Sequence, residues 1–295
     1  MLKYGIQVAP SSALDSSGGI SLLSDPSRLY YVNGSIHSWR VMMALYEKEI
    51  RFRPTRLLAV NHPQEMRFPD FLTPNRRDKA PVFVDNTLPS DSLAHIDLDV
   101  QPQIVVNESI AILHYLEMYH NASKPLLPPI SQRTHRALSL SRIQESETLR
   151  HLYDLLEDLH NDAEKCGTNL HEEKRNQLIK GIDVELDFWE AYAEKTPFIA
   201  GNQFGLVDCA FFPLLACMVH RGFEWRRIGI GLSSDLEGSH DWPHLQAYFR
   251  RVWEHGGENG CAQMAQPIGW ERQGKTNIWK GTTGSTKGHS FQNNS

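Results

Sequence analysis

The stretch Leu29-Tyr30-Tyr31-Val32-Asn33-Gly34-Ser35-Ile36-His37-Ser38-Trp39-Arg40-Val41-Met42-Met43-Ala44-Leu45 changes texture half-way along. Leu29 to Val32 is a short apolar run of strand-forming residues, whereas Val41, Ala44 and Leu45 repeat at helical spacing within Trp39 to Lys48. A strand that turns directly into a helix aims backbone N–H groups and the positive end of the helix at one spot. Anions are stabilised there, and so are thiols that ionise, because a helix N-terminus lowers a thiol pKa. Ser35 can donate its hydroxyl to such an anion; it reads equally as the cap of the helix.

Working outward, further strands are expected near Arg51 to Leu58, at Pro81 to Asp85 and at Ile104 to Val106, followed by a helix from Ser109 to Tyr119. That is βαβ then ββα, an α/β unit. The segment Asn86 to Gln103, with acids Asp91, Asp97 and Asp99, is longer than a hairpin needs and reads as an insertion. Pro81 opens its strand, where proline is tolerated. A cis Ala80-Pro81 bond would turn the Ala80 backbone outward to pair with an extended peptide; a trans bond would make it an ordinary strand start. Glu108 and Ser109 stand at the next helix start. Together they suit the two ends of an amino acid, Glu108 taking the ammonium and Ser109 with the helix end the carboxylate; singly they read as a solvated charge and a cap.

Beyond Pro125, Pro128 and Pro129 the pattern is helical throughout. Leu152, Leu155, Leu156 and Leu159 mark one stripe, and Leu178, Ile182, Leu186 and Trp189 another. A helix from Leu206 through Met218 contains Pro213 and is expected to kink; a last one covers His244 to Trp253. Asp208, three residues after Gly205, resembles the far half of a capping box. His151, Asp154 and Asp158 have metal-like spacing on one helix, but a solvated face is the simpler account and no metal is expected.

Composition bounds the class. The 295 residues carry a net charge of −5 and are 40% hydrophobic, enough for a sizeable core. An acidic balance argues against nucleic acid as a partner. No run approaches the roughly 20 apolar residues of a membrane span, so no membrane partner is expected. Four cysteines without CxxC spacing fit neither a zinc module nor a disulfide framework. A reduced, cytoplasmic protein is expected. The expected organisation is a flexible arm over 1–26, the α/β domain over 27–121 with its insertion at about 86–103, a linker over 122–131, an all-helical domain over 132–271 and a disordered tail over 272–295.

These motifs, in this order, resemble the glutathione transferase family over roughly Arg28 to Trp270. The opening run is similar to that of zeta-class and rho-like members; Val105-Val106-Asn107-Glu108-Ser109 followed by Tyr115-Leu116-Glu117 strengthens the rho-like comparison, and Gly201-Asn202-Gln203-Phe204 through Pro213 is similar to the family's buried capping segment. The resemblance implies an N-terminal thioredoxin-like domain followed by a C-terminal helical bundle, with glutathione bound between them as co-substrate and, typically, a homodimer. It puts Ser35 at the catalytic serine position, Ala80 and Pro81 at the cysteinyl-binding edge, and Glu108 and Ser109 at the γ-glutamyl end. His37 replaces a cysteine of the zeta motif; it is expected either to hydrogen-bond sulfur or substrate or to be a polar residue of the first turn. Met66 stands where several classes hold the glycine carboxylate with histidine, leaving His62, Arg67 or Lys79 for that role. Gly205 stands where the capping box has Ser or Thr. Arg142, Gln144, Glu145 and Leu149 are the expected lining of the electrophile pocket. The implied activity is conjugation of the glutathione thiolate to a small electrophile, in detoxification or secondary metabolism. Alternatives are a non-catalytic interaction module of the same fold, or glutathione-dependent peroxidase or lyase chemistry.

Overall fold

The computed structural model of the chain describes residues 27–57, 79–86, 104–120, 124–166, 172–226, 241–270 and 278–279. Strand β1 (Ser27–Val32) runs parallel to β2 (Phe52–Leu57) and antiparallel to β3 (Val82–Asp85), which pairs antiparallel with β4 (Ile104–Asn107). The sheet order is therefore β2-β1-β3-β4. A parallel pair needs a crossover, and helix α1 (Ile36–Glu47) supplies it. Alternation along β1 sends Leu29 and Tyr31 into the main core with α1, and Tyr30 to the other face with Leu57, Val82 and Val84. Pro54 is tolerated because β2 is an edge strand.

Helix α2 (Ser109–Tyr119) packs beside α1, and buried Asp85 ties it to the sheet. Asp85 accepts hydrogen bonds from the Ser27 hydroxyl at 2.9 Å and the Tyr115 hydroxyl at 2.8 Å, and pairs with His120 Nε2 at 2.7 Å. Burial, then the Asp85 carboxylate, pushes the Tyr115 phenol up.

The helical domain consists of α3 (Arg133–Cys166), α4 (Glu172–Ala193), α5 (Leu206–His220), α6 (Pro243–Glu254) and the short α7 (Cys261–Met264). Helix α5 is apolar all round and almost wholly buried, and it continues through Pro213. Arg40 of α1 crosses to it: the buried guanidinium donates from Nε to the Ala210 carbonyl at 2.6 Å and pairs with Glu147 of α3 at 2.6 Å. One side chain thus joins the two domains through three helices. Within the first domain, the buried pair Lys48–Glu117 at 2.7 Å holds the following segment, because its carboxylate also accepts the N–H groups of Leu126 and Leu127.

Burial adds to one expectation and changes two others. Within the stretch expected as a linker, Leu126 and Leu127 are buried and held by Glu117. Leu155 is exposed; the buried face of α3 runs instead through Ile143, Ser146, Leu149, Tyr153 and Leu156. The disordered tail expected over 272–295 contains two core residues. Ile278 and Trp279 are buried, the Ile278 N–H donates to the Arg221 carbonyl at 3.3 Å, and Arg175 donates to the Trp279 carbonyl at 2.8 Å. Large apolar side chains leave water even when their neighbours are polar.

Candidate active site

The β1–α1 junction is a tight turn. The Ser35 N–H donates to the Val32 carbonyl at 3.2 Å, and Gly34 takes φ +82°, a conformation side chains with Cβ rarely adopt. The Val32 N–H in turn donates to Ser38 Oγ at 3.1 Å, locking strand end to first helical turn. Ser35 has extended backbone angles and caps α1, its Oγ accepting the Ser38 N–H at 3.4 Å. The two roles open to Ser35 are compatible. A hydroxyl has two acceptor lone pairs and one donor, so capping uses an acceptor and leaves the O–H to point at an anion.

His37, in the same turn, places Nδ1 at 3.2 Å from the Ser109 hydroxyl. Burial first, then the positive charges of Arg40 and Arg150, lower its pKa to about 4, so the imidazole is neutral at pH 7. Ser109 is buried at the first position of α2, and Glu108 precedes it as an exposed residue with φ 71° and ψ 124°. A non-glycine residue there is strained, and such positions cluster at ligand sites. The Ala80-Pro81 peptide is cis, with Pro81 buried at the head of β3; Lys79 beside it is exposed. His62 and Arg67 lie outside the described residues.

Two cavities meet at Gly34 and Ser35. The larger, about 580 Å³, is mainly apolar and lies between Tyr31, Trp39, Met42, Tyr46 and the segment Gln263 to Ile268. The smaller, about 230 Å³, is walled by His37 on the α1 side and by Tyr153, Asp154, Glu157, His220 and Arg221 of the helical domain, with Trp270 closing it. Ala80, Glu108 and Ser109 line neither.

The residues expected to line the electrophile pocket lie about one to three turns before the residues of α3 that wall the smaller cavity. Leu149 is core; Arg142 is buried over the Tyr192 ring, 3.5 Å from its centroid, and paired with Glu145; Gln144 is exposed. None of the four lines either cavity. Tyr153 and Glu157 stand there instead with Asp154, which the sequence marked only through a metal-like spacing. Among the described residues no group of three or more His, Cys, Asp or Glu could hold a metal ion.

The contribution of the C-terminal segment was not legible in the sequence. Asn33 clamps it with two bonds, Nδ2 to the Ile268 carbonyl at 3.0 Å and Oδ1 from the Ile268 N–H at 2.8 Å. Trp270 then stacks on His220, centroids 3.8 Å apart, and meets Trp39 edge-on. The one signal was a large aromatic, Trp270, at the end of the expected helical domain.

Sequence models of the family match both halves of the chain: the glutathione S-transferase N-terminal domain over residues 29–124 and the C-terminal domain over residues 172–251. This chain belongs to the glutathione S-transferase family. Glutathione S-transferase A of Pleuronectes platessa is 26% identical over 229 residues, 77% of this chain and 86% of that protein. Among solved structures, a glutathione S-transferase from the Antarctic clam Laternula elliptica is similar with a TM-score of 0.66 and 23% identity, covering 88% of this chain and 100% of that one. A glutathione transferase from Pseudomonas putida, solved with one glutathione disulfide bound per subunit, gives a TM-score of 0.63 at 18% identity over 83% of this chain and 92% of its own. At these identities the solved structures speak for the fold: a small-sheet thioredoxin-like domain and a helical domain. No helix among the described residues is long and apolar enough to cross a membrane.

Proposed function

We propose that this chain is a serine-type glutathione transferase, in which Ser35 stabilises the thiolate of glutathione for attack on a small electrophile. The observation that carries the reading is the geometry of Ser35. Its oxygen caps α1, so its O–H remains to donate at the positive end of a helix, on the wall of a cavity closed by the other domain. A free thiol at pKa ~8.5 is only a few per cent ionised at pH 7, so lowering that pKa is the physical work of the site. Ala80 beside cis Pro81 would pair with the cysteinyl backbone, and Glu108 and Ser109 would hold the γ-glutamyl end. The contact between His37 and Ser109 supports a site that spans both helix starts. Lys79 and His62 are assigned to the glycine carboxylate on the strength of the family resemblance alone.

His37 supplies orientation rather than acid, since its neutral imidazole sits between the two helix starts. Buried Cys209 and Cys261, whose thiols burial pushes up, are unsuited to thiol exchange. Conjugation is favoured over an interaction module because a module has no need of a donor hydroxyl at the cleft. The same reading includes a cytoplasmic homodimer acting in detoxification or secondary metabolism. The test is calorimetric titration of glutathione into wild type and Ser35→Ala, with thiolate formation followed by ultraviolet difference absorbance. Binding by both with thiolate only in wild type is expected; absence of binding to wild type would sink the reading.

A further inference from the structure

Ile278 and Trp279 stand beyond the expected helical domain, yet both are almost wholly buried. Three elements grip this pair. The Arg175 guanidinium of α4 donates to the Trp279 carbonyl at 2.8 Å, and the Ile278 N–H donates to the Arg221 carbonyl at the end of α5 at 3.3 Å. The Trp279 ring lies against Tyr153 of α3 and against Phe223, with centroids at 6.3 and 5.2 Å. Two of the residues so contacted, Tyr153 and Arg221, also line the smaller cavity with Ser35. Trp279 itself does not line it. It stands one layer behind the wall.

Both wall residues are held in a way that hands their position to the pair behind them. The Tyr153 hydroxyl reaches the Cys217 carbonyl at 3.5 Å, long for an O–H donor, so packing against the ring decides where it sits. Arg221 closes α5 and is followed by Gly222 at φ 93°, a conformation that residues with Cβ rarely adopt. The turn from Arg221 to Phe223 is then fastened at one end by Ile278 and at the other by the Trp279 ring. From this turn the Arg221 side chain reaches Glu157 at 2.9 Å and Asn161 at 3.3 Å. The space so walled is about 230 Å³, below the roughly 300–1,000 Å³ of pockets that enclose drug-sized molecules.

Resting on the glutathione-transferase reading, we propose that Trp279 is a positioning residue that sets the size limit of the electrophile. By backing Tyr153 and the turn at Arg221, it keeps the chamber beside Ser35 to the dimensions of one small ring. Protein interiors are close-packed, and a shortened core side chain leaves a void that its neighbours fill in part. At position 279 the neighbour is Tyr153, so a void there lets the wall retreat and passes space from the core to the chamber. Ala80, Glu108 and Ser109 line neither cavity, so the grip on glutathione itself is independent of this effect.

The experiment titrates glutathione, S-benzylglutathione and S-(1-naphthylmethyl)glutathione into full-length wild type, Trp279→Leu and Trp279→Phe by calorimetry. The two conjugates carry one ring and two fused rings on the same tripeptide, so the ratio of their Kd values reads the chamber alone. Wild type is expected to bind the naphthyl conjugate about 10-fold more weakly than the benzyl one, the lower end of steric discrimination by a pocket. In Trp279→Leu that gap is expected to close, while Trp279→Phe, with a ring still behind Tyr153, keeps most of it. Glutathione affinity is expected to be the same in all three; a merely structural role would move all three ligands together. If Trp279→Leu does not fold, Arg175→Gln, which frees the Trp279 carbonyl and leaves the core side chains in place, is expected to narrow the gap instead. A gap unchanged in the variant that binds glutathione overturns the proposal and leaves the reading beneath it standing, as does a wild type that binds both conjugates equally. A wild type that fails to bind glutathione overturns both.

Discussion

His37 Nδ1 lies 3.2 Å from the hydroxyl of Ser109, so the first turn of α1 and the first turn of α2 share a hydrogen bond. The two residues are 72 positions apart in sequence. Groups that would receive the sulfur and the γ-glutamyl end of one tripeptide are thereby fixed relative to each other before any ligand arrives. Such pre-organisation lowers the ordering cost of binding.

Replacing Ser35 by Ala separates its two roles. Loss of the donor to the thiolate is expected to reduce kcat by about 100-fold, as for removal of one stabilising donor elsewhere. Loss of the cap is expected to cost about 1 kcal/mol in stability. Turnover with saturating glutathione and urea unfolding measure the two effects; a Ser35→Thr variant, which keeps the hydroxyl, should recover much of both.

The His37 imidazole should titrate with a midpoint near 4 by proton–nitrogen NMR. Its folded pKa lies below its unfolded value of 6.5, so the unfolded chain binds the extra proton more readily. Stability from this residue is therefore complete above pH 6.5 and is lost as pH falls toward 4. At pH 5 the loss relative to His37→Gln should be on the order of 1–2 kcal/mol in urea unfolding. Asp208 acts in the opposite sense: burial pushes its carboxyl up to about 6, so its contribution declines as pH rises through that value. The comparison with His37→Gln at each pH isolates the histidine.

At Gly205 the capping hydroxyl is missing for a steric reason. A Cβ there would stand 2.9 Å from the Leu126 carbonyl oxygen, which accepts the Leu206 N–H at 2.8 Å. Only the Asp208 arm of the box remains: its carboxylate accepts the N–H groups of Gly205 and Ile199 and the hydroxyl of Tyr248. Gly205→Ser is expected to destabilise by about 1 kcal/mol, overpacking outweighing the regained cap. Asp208→Asn, which turns an amide donor toward a donor, should cost about 2–3 kcal/mol. Thermal unfolding of both variants checks the order.

Trp279 is buried against Phe223 and Tyr153, with ring centroids at 5.2 and 6.3 Å. Trp279→Ala should lose about 3–5 kcal/mol, and truncation after Trp270 should lose a comparable amount. A truncated protein as stable as the full chain would contradict this packing.

The architecture was legible where chemistry is local. The strand–turn–helix at Leu29 to Leu45, the strand after Pro81 and the helix start at Ser109 each carry their own period or punctuation, and all three form, although the first helix begins at Ile36 rather than Trp39. What could not be read depends on contacts between distant segments. Nothing near Asn33 announces Ile268, 235 residues away. Likewise nothing in α3 alone distinguishes the turn holding Arg142 from the turn holding Asp154; which of them meets the cavity is decided by how α1 and α5 lie against that helix. Arg40 carries no sign in the sequence of its burial, and it becomes a joint only because Glu147 and the Ala210 carbonyl reach it.

Gly34 and Ser35 form the partition between two chambers of unlike character, and one short C-terminal segment roofs both. Substitutions at Met42, Tyr46 or Met264 would reshape the greasy chamber; substitutions at Glu157 or Arg221 would reshape the polar one. Neither set touches the hydroxyl between them. If Ser35 activates the thiol as proposed, two separately editable neighbourhoods around it would let substrate range diverge while the machinery for handling sulfur is inherited unchanged.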